Sequence, residues 1–205
     1  MSVGAKSELR KAMNKVLRAL SANSRMEASS SIAASLQNVP AYRNAKSVAV
    51  FLSMKTEVDT TPIMKYCSSQ NKTLLVPKII SDCEFELVTL DSYESVDLLP
   101  KDKWGIPIPV YDDAHRMVEH PECTPDVIIV PGVAFDRRCQ RMGHGKGYYD
   151  RFFEFLKTWC PSHDKVYPTL IGVAFDEQIV ESIPCAEHDV PLDMVVTPTA
   201  VYSNH

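Results

Sequence analysis

Seven glycines are spread through 205 residues, and three of them alternate in one stretch, Gly143-His144-Gly145-Lys146-Gly147. Side chains at that spacing are few, so the backbone N–H groups are left accessible. The loop follows an apolar run, Asp126–Pro131, and opens into an aromatic-rich segment of helical periodicity, Tyr148-Tyr149-Asp150-Arg151-Phe152-Phe153. A glycine-rich backbone at a helix start presents unbonded amides and the positive end of the helix dipole, a combination that binds phosphate or carboxylate. Arg141 and Lys146 add formal charge at the same place. Neither the Walker spacing nor the dinucleotide G-x-G-x-x-G spacing is present. The alternative is a tight strand-to-helix connection whose charges point to water. Arg141, Lys146 and the helix start together favour the anion site.

Asp150 lies three residues past the last loop glycine. Either it is a helix-start acid stabilised by the dipole, or it holds Mg²⁺ beside bound phosphates, as one or two carboxylates commonly do. Asp189, in a distant loop, is the candidate second carboxylate. Glu57 follows the apolar run Ser47–Ser53, at the strand end where open parallel sheets bind ligands. It is either a ligand contact for an amine- or amide-rich group or a solvated turn acid. Trp104, framed by Gly105 and Pro107, either stacks on a flat heterocycle or pins its own loop.

The elements that must position these groups are legible from periodicity. Leu9, Met13, Val16, Leu17 and Leu20 form a helical stripe, and Lys6 and Arg10 share a face near its start. Ser21 or Ser24 caps a second helix running to about Leu36 and ended before Pro40. Apolar runs at Ser47–Ser53, Thr73–Lys78, Phe85–Leu90, Asp126–Pro131, Thr169–Phe175 and Met194–Thr197 read as strands. Helices are expected from Pro62 to about Ser68, with Thr61 as N-cap, and from about Gly147 to Thr158, the latter with Tyr148, Phe152, Phe155, Leu156 and Trp159 on an apolar stripe. Residues 91–125 are rich in proline and charge and read as loop. Strands alternating with helices predict an α/β fold. One domain over residues 1–205 is expected, a mostly parallel Rossmann-like sheet with helices on both faces.

A net charge of −4 is a poor footprint for nucleic acid, and no stretch has the length of a membrane span. Six scattered cysteines (Cys67, Cys83, Cys123, Cys139, Cys160, Cys185) have no C-x-x-C spacing, which points to reduced thiols and the cytosol. Residues 1–25 carry six basic residues against one acid, Glu8. That composition fits either a mitochondrial transit segment or a basic docking helix.

The segment Arg141-Met-Gly-His-Gly-Lys-Gly-Tyr-Tyr-Asp150 resembles the glycine-rich signature of the 5-formyltetrahydrofolate cyclo-ligases, also called methenyltetrahydrofolate synthetases. Three further blocks resemble that family in the same order, Phe51–Glu57, Leu99–Pro107 and Asp126–Asp136. The resemblance runs from about Lys6 to Val196. It implies Mg²⁺-ATP as co-substrate. It further implies ATP contacts from Lys6, Arg10 and the run Arg141, Met142, Gly143, His144, Gly145, Lys146, Gly147, Tyr148 and Tyr149. Folate contacts are implied for Leu52, Glu57 and His144 through Tyr148, and metal contacts for Asp150 and Asp189. Many members carry Arg where this chain has His144, so that phosphate contact is expected to be lost or to depend on imidazole protonation. The implied reaction phosphorylates the formyl oxygen of 5-formyltetrahydrofolate and closes the ring through N10, with Lys146 and Arg141 stabilising the transferring phosphoryl. The ligands are then small molecules, the state monomeric, and the location cytosolic. Competing classes are a sugar-phosphate isomerase or CoA transferase on a similar sheet, or a folate- or nucleotide-binding protein without activity.

Overall fold

The computed structural model describes residues 3–82, 84–102, 105–109, 115–184 and 189–204. Helix α1 (Val3–Ala19) stops short of Ser21, whose Oγ accepts the Ser24 N–H and caps α2 (Ala22–Leu36). Pro40 does more than end α2. It starts a further helix, α3 (Pro40–Asn44), at a position where a missing N–H breaks no helical bond. Strand β1 (Ser47–Val50) is shorter than its apolar run, because the Phe51 carbonyl turns away to accept the Thr60 hydroxyl at 2.8 Å. With Thr60 so committed, Asp59 Oδ1 serves the first turn of α4 (Thr61–Ser69) by accepting Thr61 N–H.

β2 (Thr73–Ile79) and β3 (Phe85–Leu90) form an antiparallel pair at one edge. Between β3 and β4 (Val127–Val130) the chain makes only short 3₁₀ turns and isolated bridges among its described residues, as the proline content required. Then come β5 (Ala134–Asp136), β6 (Arg141–Met142), α5 (Tyr148–Ser162), β7 (Thr169–Val173), β8 (Ile179–Val180), β9 (Met194–Val196) and β10 (Val201–Ser203). The main sheet runs β10-β9-β7-β4-β1-β2-β3. Its five central strands are parallel, and β3 and β10 are antiparallel edges. The parallel strands advance outward in both directions from β1 and β4. The gap beyond their carboxyl ends is therefore the topological switch point, where ligands bind in such sheets.

Alternation survives even in fully buried strands. Val48, Val50, Ile129, Ile171 and Val196 face a core shared with Leu17 of α1 and with α2 to α4. Ala49, Ile128, Val130, Leu170 and Val195 face the opposite core, closed by Phe152, Phe153, Leu156 and Trp159 of α5. Helices thus cover both faces, as expected for strands apolar on each side. Val16 and Phe155 sit on the margins of their stripes and are 38% exposed. Cys67, Cys123, Cys139 and Cys160 are free thiols, whereas Cys83 and Cys185 lie outside the described residues. No helix among the described residues is long and apolar enough to cross a membrane.

A second, small sheet, β6-β5-β8, is what carries the glycine loop. Phe135 of β5 anchors it to the main sheet. A methyl group at Gly132 would meet the Phe135 ring at 2.5 Å, and one at Gly172 would meet it at 2.8 Å. Only glycine permits that approach. These strands are two or three residues long, below the length at which alternation can be read.

Candidate functional site

The loop at residues 143–147 leaves β6 and ends on Gly147, which adopts φ +69° as the N-cap of α5. Its root is fixed from below by a carboxylate that sequence reasoning passed over. Asp136 is fully buried. One of its oxygens accepts the N–H groups of Arg138 (2.9 Å) and Gln140 (3.1 Å), and the other accepts that of Ile183 (3.0 Å). The aspartate-then-turn pattern ahead of Arg141 was the available signal. Gln178 is equally buried and gives its amide hydrogens to the carbonyls of Gly132 (2.7 Å) and Val133 (3.3 Å). Nothing in its local sequence marks it.

Arg141 enters the site from below. Its side chain is buried, with one terminal nitrogen 3.0 Å from Asp150 Oδ1 and the guanidinium 5.5 Å from the Tyr149 ring centroid. Its Nε has no hydrogen-bond partner, an unfilled donor inside the protein. Met142 faces a small core with Met13, Val133, Ala134 and Ile183, so only its backbone can meet a ligand. Lys146 is exposed, and its ammonium has no protein partner among the described residues. Its carbonyl is held by Arg151, which also lies over Gly147. The loop is braced while its lysine is left available.

Helix α1 supplies the next wall. Leu9 and Met13 seat it on the small sheet, and Arg10 Nε donates to the Gly143 carbonyl at 2.9 Å. The Arg10 guanidinium also covers Gly145, whose φ is +100°. An alanine there would be strained whatever the space, and its methyl would lie 3.4 Å from the guanidinium. Gly145→Ala is expected to weaken binding of a phosphate anion by the loop roughly tenfold, read by titration, through loop strain of about 1–2 kcal/mol. Its melting temperature should stay within a few degrees of wild type, since the loop carries little of the core. Lys6 points the other way. Its ammonium contacts Asp189 Oδ2 at 2.5 Å.

Across the switch point stands the segment after β1. Leu52 is buried, and the Glu57 side chain is 9% exposed, so Glu57 is no solvated turn acid. One Glu57 oxygen accepts the Met54 N–H at 2.8 Å, and the other is 3.5 Å from His144 Nε2. His144 thus connects the glycine loop to the segment after β1. Tyr149 fills the space between Glu57 and Arg141. Desolvation and the Glu57 charge push its phenol well above the usual tyrosine range, with Arg141 opposing only in part. It therefore stays protonated. Tyr148 donates to the Ser81 carbonyl at 3.3 Å, tying α5 to the β2–β3 hairpin.

The structure therefore brings Arg10, Glu57 and Asp150 into contact with the run Arg141 to Tyr149. Lys6 and Asp189 form a separate pair. Trp104 lies outside the described residues. No group of three or more potential metal ligands occurs among the described residues. Asp150 Oδ2 has no protein partner among them, which leaves one hard oxygen open beside the glycine loop.

This arrangement can be set beside known proteins. Residues 2–198 match the model of the 5-formyltetrahydrofolate cyclo-ligase family. A 5-formyltetrahydrofolate cyclo-ligase of Mus musculus is 37% identical over 193 residues, covering 94% of this chain and 93% of the mouse protein. A probable 5-formyltetrahydrofolate cyclo-ligase of Schizosaccharomyces pombe is 32% identical and covers 97% of this chain and 98% of its own. The solved structure of a 5,10-methenyltetrahydrofolate synthetase of Aquifex aeolicus superimposes with a TM-score of 0.77 at 34% identity, covering 98% of this chain and 93% of that one. With the family model spanning nearly every residue and relatives matching end to end, the chain belongs to the 5-formyltetrahydrofolate cyclo-ligase family.

Proposed function

We propose that this chain, acting as one catalytic domain over residues 1–205, is an ATP- and Mg²⁺-dependent ligase. It converts 5-formyltetrahydrofolate to 5,10-methenyltetrahydrofolate, with release of ADP and phosphate. One observation carries the reading: an anion-binding glycine loop faces a buried carboxylate, Glu57, across the switch point, with His144 reaching between them. A pterin ring edge is rich in N–H donors and suits Glu57, with the buried Leu52 on the same segment after β1. Triphosphate suits the loop, Lys146 and Arg10, whose terminal nitrogens have no protein partner among the described residues.

The reaction needs little covalent help. The formyl oxygen attacks the γ-phosphorus, the β–γ bridging bond breaks, and its electron pair leaves on ADP. N10 then attacks the activated carbon and loses its proton. The C–O bond breaks and phosphate departs with the electrons, leaving the N5–C–N10 amidinium. Charge on the transferring phosphoryl is met by Lys146 and the loop amides, with Arg141 behind them. Holding N10 beside the formyl carbon provides much of the remaining acceleration. Mg²⁺ would be held by Asp150 and Asp189 together with phosphate oxygens. Their hard oxygens fit the ion, and its role there would be to neutralise phosphate charge.

Lys6 and Arg10 contact Asp189 and Gly143, which favours α1 as part of the working enzyme over a cleaved leader. The expected ligands are small molecules bound by a monomer. The test is product formation from 5-formyltetrahydrofolate, followed by its absorbance with and without ATP. One ADP per product, and none without ATP, supports the reading. Binding of both ligands with no turnover would leave a binding protein instead.

A further inference from the structure

Two acid–base pairs flank the proposed nucleotide site, and they differ in what they can do. Arg141 is buried beneath the loop at 5% side-chain exposure, so it cannot leave Asp150 without opening the core. Lys6 and Asp189 are 22% and 14% exposed, and their 2.5 Å contact joins α1 to the loop ahead of β9. A lysine is a compact charge on a flexible stem with three rotatable donors, so it can swing without moving its helix. Arg10, one turn further along, keeps α1 docked on Gly143 meanwhile.

We propose that the Lys6–Asp189 pair is a latch that opens only when nucleotide and divalent cation arrive together. The proposal rests on the ATP and Mg²⁺ reading above. Phosphates that drew Lys6 away alone would face a part-buried Asp189, a like charge. A cation that drew Asp189 away alone would face the Lys6 ammonium. Each single event breaks a pair and creates a repulsion, and breaking a part-buried pair from one side is costly. When both ligands enter, Lys6 passes to a phosphate and Asp189 to the cation, so all four charges are paired again. The latch therefore suppresses either ligand alone and couples the two. Such coupling is reciprocal by linkage.

The consequence is a gain of binding on removing a charged residue. Calorimetry with Mn²⁺ as probe cation, and with ATP in the presence of EDTA, reads it without turnover. Lys6→Met is expected to bind Mn²⁺ alone about tenfold more tightly than wild type, the scale of ordinary site-to-site coupling. Asp189→Asn is expected to bind metal-free ATP more tightly by a similar factor. Both variants should show less enhancement of one ligand by the other than wild type does, the remainder coming from direct bonding between the cation and phosphate oxygens. Melting temperatures check that each variant folds, and Lys6→Gln replaces Lys6→Met if the methionine disturbs α1. Variants that bind Mn²⁺ or metal-free ATP no better than wild type overturn the latch while leaving the site reading intact. A wild-type chain that binds no ATP even with Mg²⁺ overturns both.

Discussion

Lys146→Ala is expected to lower turnover roughly a hundredfold, a loss of about 3 kcal/mol of transition-state stabilisation, with the fold unchanged. The lysine is exposed and has no protein partner among the described residues, so its removal leaves no unpaired group and no cavity. Its neighbours are braced without it, since Arg151 holds the loop through the Lys146 carbonyl, which alanine retains. The loss should therefore fall on kcat and on kcat/KM for ATP, and much less on the folate KM. Steady-state kinetics together with urea unfolding make the check. Unchanged kinetics would mean that the loop is only a connection between β6 and α5.

Arg141→Met should show the opposite balance. This guanidinium is buried, pairs with Asp150 at 3.0 Å and packs over Tyr149, so replacing it removes a charge partner and a brace at once. The guanidinium is buried but Asp150 is 24% exposed, so losing this charge-assisted bond and the packing around it costs about 1–3 kcal/mol. In a chain of this size that corresponds to a melting-point fall of very roughly 2–12 °C. Activity should collapse with it. Adding Asp150→Asn to Arg141→Met should restore part of the stability, since no orphan carboxylate then remains, but none of the activity. A double variant no more stable than the single one would show that packing, and not charge, sets the cost.

How much of this was visible in the chain beforehand depended on length scale. The longer segments declared themselves: α1 and α5 by their apolar stripes, α2 by its cap and proline stop, and the parallel strands by apolar runs, most of which extend beyond the strands themselves. The glycine loop was legible because three alternating glycines and two cations cluster at a predicted helix start. The scaffold under that loop was not. β5, β6 and β8 are too short to carry a period, and what sets them in place is Phe135 packed against Gly132 and Gly172, distant in sequence. Gln178 could not be found for the same reason, its partners lying more than forty residues away. Pairings were hidden too. Lys6 and Arg10 share a helix face, yet one reaches Asp189 and the other Gly143, because the loops facing successive turns differ. Glu57 has the composition of a turn acid, and only the fold shows it buried against His144.

The claim on which the rest depends is that ATP activates the formyl oxygen itself. It can be followed directly with 5-formyltetrahydrofolate carrying ¹⁸O in the formyl group. In a single turnover with ATP and Mg²⁺, the C–O bond broken in ring closure leaves its oxygen on the departing phosphate. Mass spectrometry of the released inorganic phosphate should then find one ¹⁸O per methenyltetrahydrofolate formed. Unlabelled phosphate, with the ¹⁸O recovered in water, would contradict the account, because the formyl oxygen would then have left without ever bonding to phosphorus.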